Sequence, residues 1–567
     1  MRKIKEGQSI NSRVIEKKKK KVEIIFYLII IIIILFFVAM IANNYIILGK
    51  YKTTNLIINN RNVTKDLKEE IIIENDNIYI SMKDIGNFFD KYIYEEKENG
   101  KVITTYNKKI AEIGFDKNKI EINGAEKTTY AHAIKKDNVI YLPIEELKDV
   151  YDIEINHNKK SKALTLDSIS KEQKKAVARK GLPVKSSTKF IAKTVDRLKK
   201  GEVVVVVSEN KGYTKIRTEE GKIGYVKSKK LVNQITVREN MEEEKQIEGK
   251  VNLVWDYYSE VATAPNRSGT RIDGINVVSP SFFHINENGK LVGNIGNEGI
   301  EYIKWAKENN YKIWPMLQNA GEGMLGVTSK VMNSYGKRKE LIESIVKVCI
   351  KYKLDGINVD FENMKKEDKD LYSRFIIELA PRMRELGLVL SVDVTAPDGG
   401  DTWSLCFDRN VIGNVADYII FMAYDEYGTS SKHSGTTAGY DWIELGINKF
   451  IKTEEIKSEK IILAVPLYTR LWTENSQGEV LKRPAVAMKD INKVIPGDVE
   501  KKWDDKLKQH YVEFKEEENI KKMWIEDIKS LEAKTDLIKK YNLGGVAAWE
   551  KGMESDGVWT TLKKALN

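Results

Sequence analysis

The sequence predicts an α/β protein with a (β/α)8 TIM barrel at its C-terminus, an N-terminal transmembrane helix and two small β-rich domains between them. Three observations predict this fold class. From Lys250 onward, eight short apolar runs alternate with longer helical patterns, as expected for βα units around a parallel sheet. Residues 24–42 form one apolar run, and residues 51–232 carry short extended runs typical of β domains.

The composition fits several soluble domains. At 567 residues the chain exceeds one ordinary domain, and a hydrophobic content of 42% allows a sizeable core. Cys349 and Cys406 provide no disulfide framework and do not fix the compartment.

Most of the positive charge lies at the N-terminus. Residues 1–22 carry nine basic and two acidic side chains, which is +7 of the formal net charge of +11. Because the large domains show no basic stripe with interleaved aromatic residues, we expect no nucleic-acid partner. We interpret the remaining charge as a solvated surface, with mild attraction to an anionic cell wall as the alternative.

The apolar run predicts a transmembrane helix over residues 23–43. Residues 24–42 contain no charge, proline or glycine, and about 19 helical residues nearly span a ~30 Å hydrocarbon core. Lys17 to Lys21 precede the run, so residues 1–22 form a cytoplasmic basic tail and residues 43–567 lie outside the cell. A cleaved signal peptide is the alternative, although its apolar region would be shorter.

Residues 51–170 read as β-rich with a weak internal repeat. Residues 78–81 and 140–143 are extended apolar stretches, each followed by an amphipathic turn. The pattern resembles the copper amine oxidase N-terminal-like stalk domain of bacterial surface proteins, a name that does not imply copper. His132 and His157 are isolated, so we expect neither a metal site nor a cofactor.

Residues 175–232 resemble a bacterial SH3-like domain. Short strands at residues 201–206, 212–217 and 224–226 are separated by glycine turns. Such modules often bind cell-wall peptide, and a plain spacer is the alternative. Residues 233–247 are predicted to be a polar linker, and residues 248–567 the barrel.

The barrel strands are predicted at eight apolar runs, with helical spacing over segments such as 301–309, 338–352 and 369–385. The runs are Val251–Trp255, Ile275–Ser279, Lys312–Leu317, Leu354–Glu362, Leu388–Thr395, Tyr418–Tyr424, Ile461–Pro466 and Gly545–Trp549. The stretch between Leu471 and Asp527 is too long for one connection, so a small insertion is expected there.

The fourth run carries the residues that suggest chemistry. Because side chains alternate along a strand, Asn358, Asp360 and Glu362 share one face, which looks into the barrel. Barrel interiors are normally apolar, and unpaired charges there are costly. Two neighbouring carboxylates resist carrying two negative charges, so the pKa of one of them rises. A protonated Glu362 at the strand's end could then act as a general acid. A structural hydrogen-bond network and a Mg²⁺ or Ca²⁺ site are the alternatives.

The segment DGINVDFE at residues 355–362 resembles the D-x-x-D-x-D-x-E motif of glycoside hydrolase family 18, a chitinase-like family that includes spore and cell-wall enzymes. The resemblance continues in residues 421–425, which match Met-x-Tyr-Asp, in residues 544–549, and in residues 465–472, which look like the spore and cell-wall branch. The family's middle Asp is Asn358 here.

The resemblance implies substrate-assisted catalysis, in which the substrate's acetamido oxygen is the nucleophile. It implies that Glu362 protonates the glycosidic oxygen, that Asp360 holds the acetamido N–H and that Tyr424 donates to the acetamido carbonyl. The other residues expected to bind substrate are Asn358, Asp425, Trp549, Tyr468 and Arg470. For Trp549, core packing is the alternative.

Together these features predict a membrane-anchored hydrolase with its catalytic domain outside the cell. The expected substrate is a β-1,4-linked polymer that contains N-acetylglucosamine, with peptidoglycan favoured over chitin because an outward-facing enzyme meets its own wall first. The alternatives are a catalytically silent sugar-binding protein and a cell-envelope scaffold.

Overall fold

The computed structural model gives the chain two compact units. The first comprises residues 1–91, 115–119 and 128–243, and the second residues 92–114, 120–127 and 244–567. The residues described are 2–45, 53–189, 191–240, 247–258, 267, 269, 271–293 and 295–566, with the backbone alone for residues 2–14 and 43–45.

The N-terminal helix runs from Arg2 to Tyr45. Within it, Ile15–Ala42 contains an 18-residue window with a mean hydropathy of 3.5, and none of that window is buried. It is the one helix in the described part of the chain that is long and apolar enough to cross a membrane.

The first unit has two small sheets before residue 170. Strands Asn77–Ser81 and Val139–Pro143 pair antiparallel, and a short helix follows each of them, at Met82–Phe88 and Ile144–Leu147. The repeat expected from the sequence is therefore present as two paired strand–turn units. In sheet order, the strands are Ile153–Asn158, Ala163–Ser168, Asn55–Ile58 and Arg61–Asn62, and then Ile134–Lys136, Val139–Pro143, Asn77–Ser81 and Ile72–Glu74.

Residues 173–238 form a seven-stranded antiparallel sheet. Its last strand, Leu231–Arg238, pairs with Gln173–Ala178, so the linker predicted at residue 233 begins later. The strand extends beyond residue 233 because residues 235–238 alternate apolar and polar side chains, a pattern that suits a strand. Likeness to an SH3 domain stays a prediction. The strands are Gln173–Ala178, Leu182–Lys185, Thr194–Leu198, Val203–Asn210, Tyr213–Arg217, Ile223–Lys227 and Leu231–Arg238.

The second unit is built around a closed barrel of eight parallel strands. The third strand is in two segments, of which Lys312–Ile313 pairs with the second strand and Met316–Gln318 with the fourth, and this closes the ring. We label the strands β1 (Val251–Asp256), β2 (Val277–Pro280), β3 (Lys312–Ile313 and Met316–Gln318), β4 (Gly356–Asp360), β5 (Val389–Val394), β6 (Tyr418–Met422), β7 (Ile461–Pro466) and β8 (Gly545–Trp549).

The predicted TIM barrel is thus confirmed, with each strand at its expected place. The pairing of β1 with β8 requires glycine, since a Cβ atom at Gly545 would lie 2.1 Å from the carbonyl oxygen of Val251. The helices around the barrel are α1 (Gly296–Glu308), α2 (Met324–Asn333), α3 (Tyr335–Tyr352), α4 (Lys369–Glu385), α5 (Arg409–Val415), α6 (Tyr440–Lys452), α7 (Ile528–Tyr541) and α8 (Val558–Leu566), and a one-turn helix, Ile491–Val494, lies between β7 and β8.

Two further sheets belong to the barrel unit. The expected insertion after β7 contains a five-stranded sheet and the strand pair Tyr468–Arg470 with Ala485–Ala487. Its larger sheet has strands Val480–Lys482, Trp472–Glu474, Asn519–Ile525, Gln509–Glu516 and Lys502–Asp504. Strands Phe283–Ile285 and Leu291–Gly293 extend the barrel sheet beside β3.

Another five-stranded sheet is formed by residues 94–128, most of which belong to the barrel unit. Glu112 on this sheet accepts hydrogen bonds from Tyr335 and Lys339 of α3, and Tyr94 donates to Glu378 of α4. Its strands are Tyr94–Glu96, Lys101–Tyr106, Lys109–Gly114, Lys119–Ile122 and Ala125–Thr128.

Candidate active site

The side chains of the fourth strand alternate between the outer and inner faces of the barrel, as its sequence predicts. Phe361, directly after β4, stacks on Tyr372 and Phe375 of α4, with 5.9 Å between ring centroids in both pairs. This outward packing leaves Asp360 and Glu362 on the barrel's inner face, at the C-terminal end where TIM-barrel chemistry takes place.

Asn358 lies one layer below these carboxyl groups and is fully buried. Its Oδ1 accepts a hydrogen bond from Trp255 Nε1 at 2.8 Å, and its Nδ2 donates to Asp393 Oδ1 at 2.7 Å and to Ser391 Oγ at 3.2 Å. The side chain thus serves as acceptor and donor at once, which an ionised aspartate cannot do.

Asp360 is buried against its neighbours from β3 and β4. Gln318 Nε2 donates to its Oδ2 at 3.1 Å. Burial raises the pKa of Asp360 to about 6, although hydrogen bonding to Gln318 and to Glu362 opposes the rise. Asp360 can therefore be ionised at neutral pH.

Glu362 has the strongly raised pKa of a general acid. Burial is the main cause of the rise, and the charges of Asp360 and Asp425 add to it. The side chain is still partly exposed, so a substrate can reach its proton.

Asn319, which follows β3, holds the backbone of Glu362 in place. Its Oδ1 accepts from Glu362 N at 2.8 Å, and its Nδ2 donates to Glu362 O at 2.9 Å and to Thr328 Oγ1 at 3.1 Å. Sequence reasoning missed Asn319, although its place two residues after the predicted strand Lys312–Leu317 was a signal.

The end of β6 supplies Tyr424 and Asp425. Burial and the charge of Asp360 raise the pKa of Tyr424 well above its usual value, so the phenol stays neutral and can donate. Tyr468 Oη and Arg470 Nη2 donate to Asp425 Oδ1 at 2.8 and 2.7 Å. Tyr468 and Arg470, at the start of the insertion, therefore fix the carboxylate of Asp425.

Trp549 at the end of β8 combines packing with exposure. Its ring centroid lies 5.8 Å from that of Trp255 and 5.6 Å from that of Tyr257, yet the side chain is only half-buried. Trp549 therefore both packs against the core and forms part of the cavity wall.

These side chains surround one cavity of about 140 Å³ at the mouth of the barrel. Six of the predicted site residues line it, namely Asp360, Glu362, Tyr424, Asp425, Tyr468 and Trp549. Asn358 and Arg470, expected to bind substrate, are not among the lining residues and instead hold Asp393 and Asp425. Lining residues that the sequence analysis did not select are Trp255, Asp393, Trp403 and Met422.

The sequence of the barrel matches a known family. The family model for glycosyl hydrolases family 18 matches residues 253–554, more than half of the chain. The chain belongs to this family. It is a glycoside hydrolase, as the sequence analysis expected. The model of the copper amine oxidase N-terminal domain matches residues 57–166, within the predicted stalk region.

Several curated and solved proteins resemble this family 18 chain. The uncharacterized glycosylase YvbX of Bacillus subtilis is 27% identical over 298 residues, which cover 51% of this chain and 84% of that protein. The cortical fragment-lytic enzyme of Bacillus subtilis is 25% identical, over 42% of this chain and 56% of that enzyme. A chitinase structure from Chromobacterium violaceum has 23% identity and a TM-score of 0.49, and covers 56% of this chain and 99% of its own.

Proposed function

We propose that this family 18 enzyme is anchored in the cell membrane and hydrolyses β-1,4 linkages in a polymer that contains N-acetylglucosamine. The observation that carries the proposal is the cavity that Glu362 lines together with Asp360 and Tyr424, in which burial raises the pKa of Glu362. The substrate that we favour is peptidoglycan, with chitin second.

In the proposed reaction the acetamido oxygen of the substrate attacks C1 while Glu362 gives its proton to the departing glycosidic oxygen. The C1–O bond breaks and an oxazolinium-like intermediate forms. Asp360 holds the acetamido N–H, and Tyr424 donates to the acetamido oxygen. Glu362 then takes a proton from water, which attacks C1 and restores the acetamido group with net retention.

The remaining residues bind or support. Asp425, fixed by Tyr468 and Arg470, accepts hydrogen bonds from sugar hydroxyls. Trp549 presents an apolar face beneath the reacting sugar, since aromatic rings pack well against the C–H faces of sugars. Asn358 lies one layer below the carboxyl groups and orders Trp255, Ser391 and Asp393 through hydrogen bonds.

The preference for peptidoglycan follows from location. Lys17 to Lys21 lie directly before the apolar part of the helix, so by the positive-inside rule the N-terminus is cytoplasmic and the barrel is outside. A tethered outward-facing hydrolase meets the cell wall first. The likeness to an enzyme named for lysis of cortical fragments supports the same choice.

The decisive experiment compares wild type, Glu362→Gln and Glu367→Gln as full-length protein in detergent micelles. Glu367 is an exposed glutamate outside the cavity, so its variant controls for a lost charge. Release of soluble fragments from purified peptidoglycan and from chitin is followed by mass spectrometry, which identifies the sugar at the new reducing end. We expect Glu362→Gln to lose about 10²–10⁴-fold in rate and Glu367→Gln to match wild type.

Binding to the insoluble polymer is measured in the same samples. If wild type and Glu362→Gln bind equally and neither releases fragments, the protein is a silent sugar-binding protein. Equal release by both would remove Glu362 from the mechanism. Release from chitin alone would overturn the preference for peptidoglycan.

A further inference from the structure

A third carboxyl group, Asp393 of β5, lines the cavity beside the two proposed catalytic acids. The residue is 2% exposed. Asn358 Nδ2 donates to its Oδ1 at 2.7 Å, but its Oδ2 is buried with no hydrogen-bond partner. In Asp360 likewise, Oδ2 is bonded and Oδ1 is buried with no partner.

The register of the barrel brings these two carboxyl groups together. Strands β4 and β5 pair in parallel with Asn358 opposite Ser391 and Val359 opposite Val392, so the next step places Asp360 beside Asp393. Neighbouring strands lie about 4.8 Å apart, and aligned residues of parallel strands point to the same face. Two inward carboxyl groups at this separation resist carrying two negative charges.

Burial and the surrounding charges determine the protonation of Asp393. Titratable groups that face it are Asp360 and Glu362 from the β4 segment, Tyr372 from α4 and Tyr424 after β6. Burial, followed by the charge of Asp360, raises the pKa of Asp393 well above its usual value. Both tyrosines are neutral, because burial raises their pKa values as well.

Building on the proposed function, we propose that Asp393 is a positioning residue which, in its protonated form, donates a hydrogen bond to Asp360 and orients it toward the substrate. A protonated carboxyl group is a donor, and it satisfies the two buried oxygens that otherwise have no partner. Asn358 cannot take this role, since its amide is already engaged with Trp255, Ser391 and Asp393. The proton stays on Asp393 throughout the reaction.

The test uses Asp393→Asn and Asp393→Ala in the full-length protein, with fragment release measured from pH 4 to pH 10. Asparagine keeps a donor at the same place but has no proton to lose, whereas alanine removes the donor. We expect Asp393→Asn to keep kcat within about threefold of wild type and Asp393→Ala to lose about 10- to 100-fold, the cost of a hydrogen bond to a charged group. KM should change less than about twofold in both, because the lost interaction acts through Asp360.

The alkaline side of the pH profile gives a readout that a structural role would not move. In wild type, activity requires a proton on Glu362 and a proton on Asp393, so the loss of either proton ends activity. In Asp393→Asn only Glu362 can titrate. The alkaline fall of log kcat should therefore become shallower in Asp393→Asn, approaching a slope of about −1. Tryptophan fluorescence during denaturation shows whether Asp393→Ala is folded.

Three results would overturn the proposal. They are wild-type rates in Asp393→Ala, a loss in Asp393→Asn as large as in Asp393→Ala, or an unchanged alkaline limb in Asp393→Asn. If wild type itself released no fragments, the proposed function would fail instead, so the two failures are distinguishable.

Discussion

The buried ion pair between Arg338 of α3 and Glu378 of α4 allows a quantitative test of what stabilises the barrel unit. The two side chains are 4% and 1% exposed. Arg338 Nε donates to Glu378 Oε2 at 2.8 Å and Nη2 to Oε1 at 3.0 Å. Tyr94 Oη donates to the same carboxylate at 2.8 Å, so the pair also joins the 94–128 sheet to the barrel.

Replacing Glu378 with glutamine keeps the size of the side chain but removes its charge. The Arg338 guanidinium is then a buried cation with no counter-charge from residue 378. Breaking a buried pair in this way costs about 3–5 kcal/mol of the free energy of unfolding. The matched control is Glu340→Gln, because Glu340 pairs with Lys290 where both side chains are 53% exposed. An exposed pair contributes about 0–1 kcal/mol.

Tryptophan fluorescence during urea unfolding measures this difference selectively. All ten tryptophans of the chain lie between residues 255 and 559, so their signal reports the barrel unit alone. We expect a clear fall in the unfolding midpoint for Glu378→Gln and little change for Glu340→Gln. Activity per folded molecule should be unchanged in both, since neither residue lines the cavity. A loss in Glu378→Gln no larger than in Glu340→Gln would refute the reasoning.

Two further predictions concern the site. Asn319→Ala removes both side-chain bonds to the Glu362 backbone, so we expect kcat to fall about 10- to 100-fold with little change in KM, measured by fragment release. A wild-type kcat would show that the backbone is held by other contacts. The rate should also follow a bell-shaped pH profile. It should rise through about pH 6 as Asp360 ionises, because its pKa is raised to about 6, and fall at alkaline pH as Glu362 and Asp393 lose their protons. A profile flat from pH 4 to pH 8 would contradict this assignment.

The barrel and the row of polar residues on β4 could be predicted because both depend on local periodicity. An alternation of period two fixes which side chains of one strand share a face, whatever the strand pairs with. The inward placement of Asp360 and Glu362 and the outward packing of Phe361 therefore follow from the sequence alone.

Asp393 was missed because its importance depends on register between strands. By sequence it is one acid within an apolar run, and only the pairing of β4 with β5 places it beside Asp360. The polar residues of the 94–128 sheet were missed for a similar reason. In the sequence Glu112 looks like an ordinary surface residue. The residues that it contacts, Tyr335 and Lys339, lie more than 200 positions further along the chain.

The carboxyl groups at the barrel mouth differ in whether a cation accompanies them, and this difference assigns their roles. Asp425 has the guanidinium of Arg470, and Asp256 at the end of β1 has that of Arg267. Within the described part of the chain, Asp360, Glu362 and Asp393 have no such ion pair. Three carboxyl groups without cations cannot all ionise at low dielectric, so protons must remain among them. A site built this way holds a transferable proton at neutral pH, which general acid catalysis at Glu362 requires.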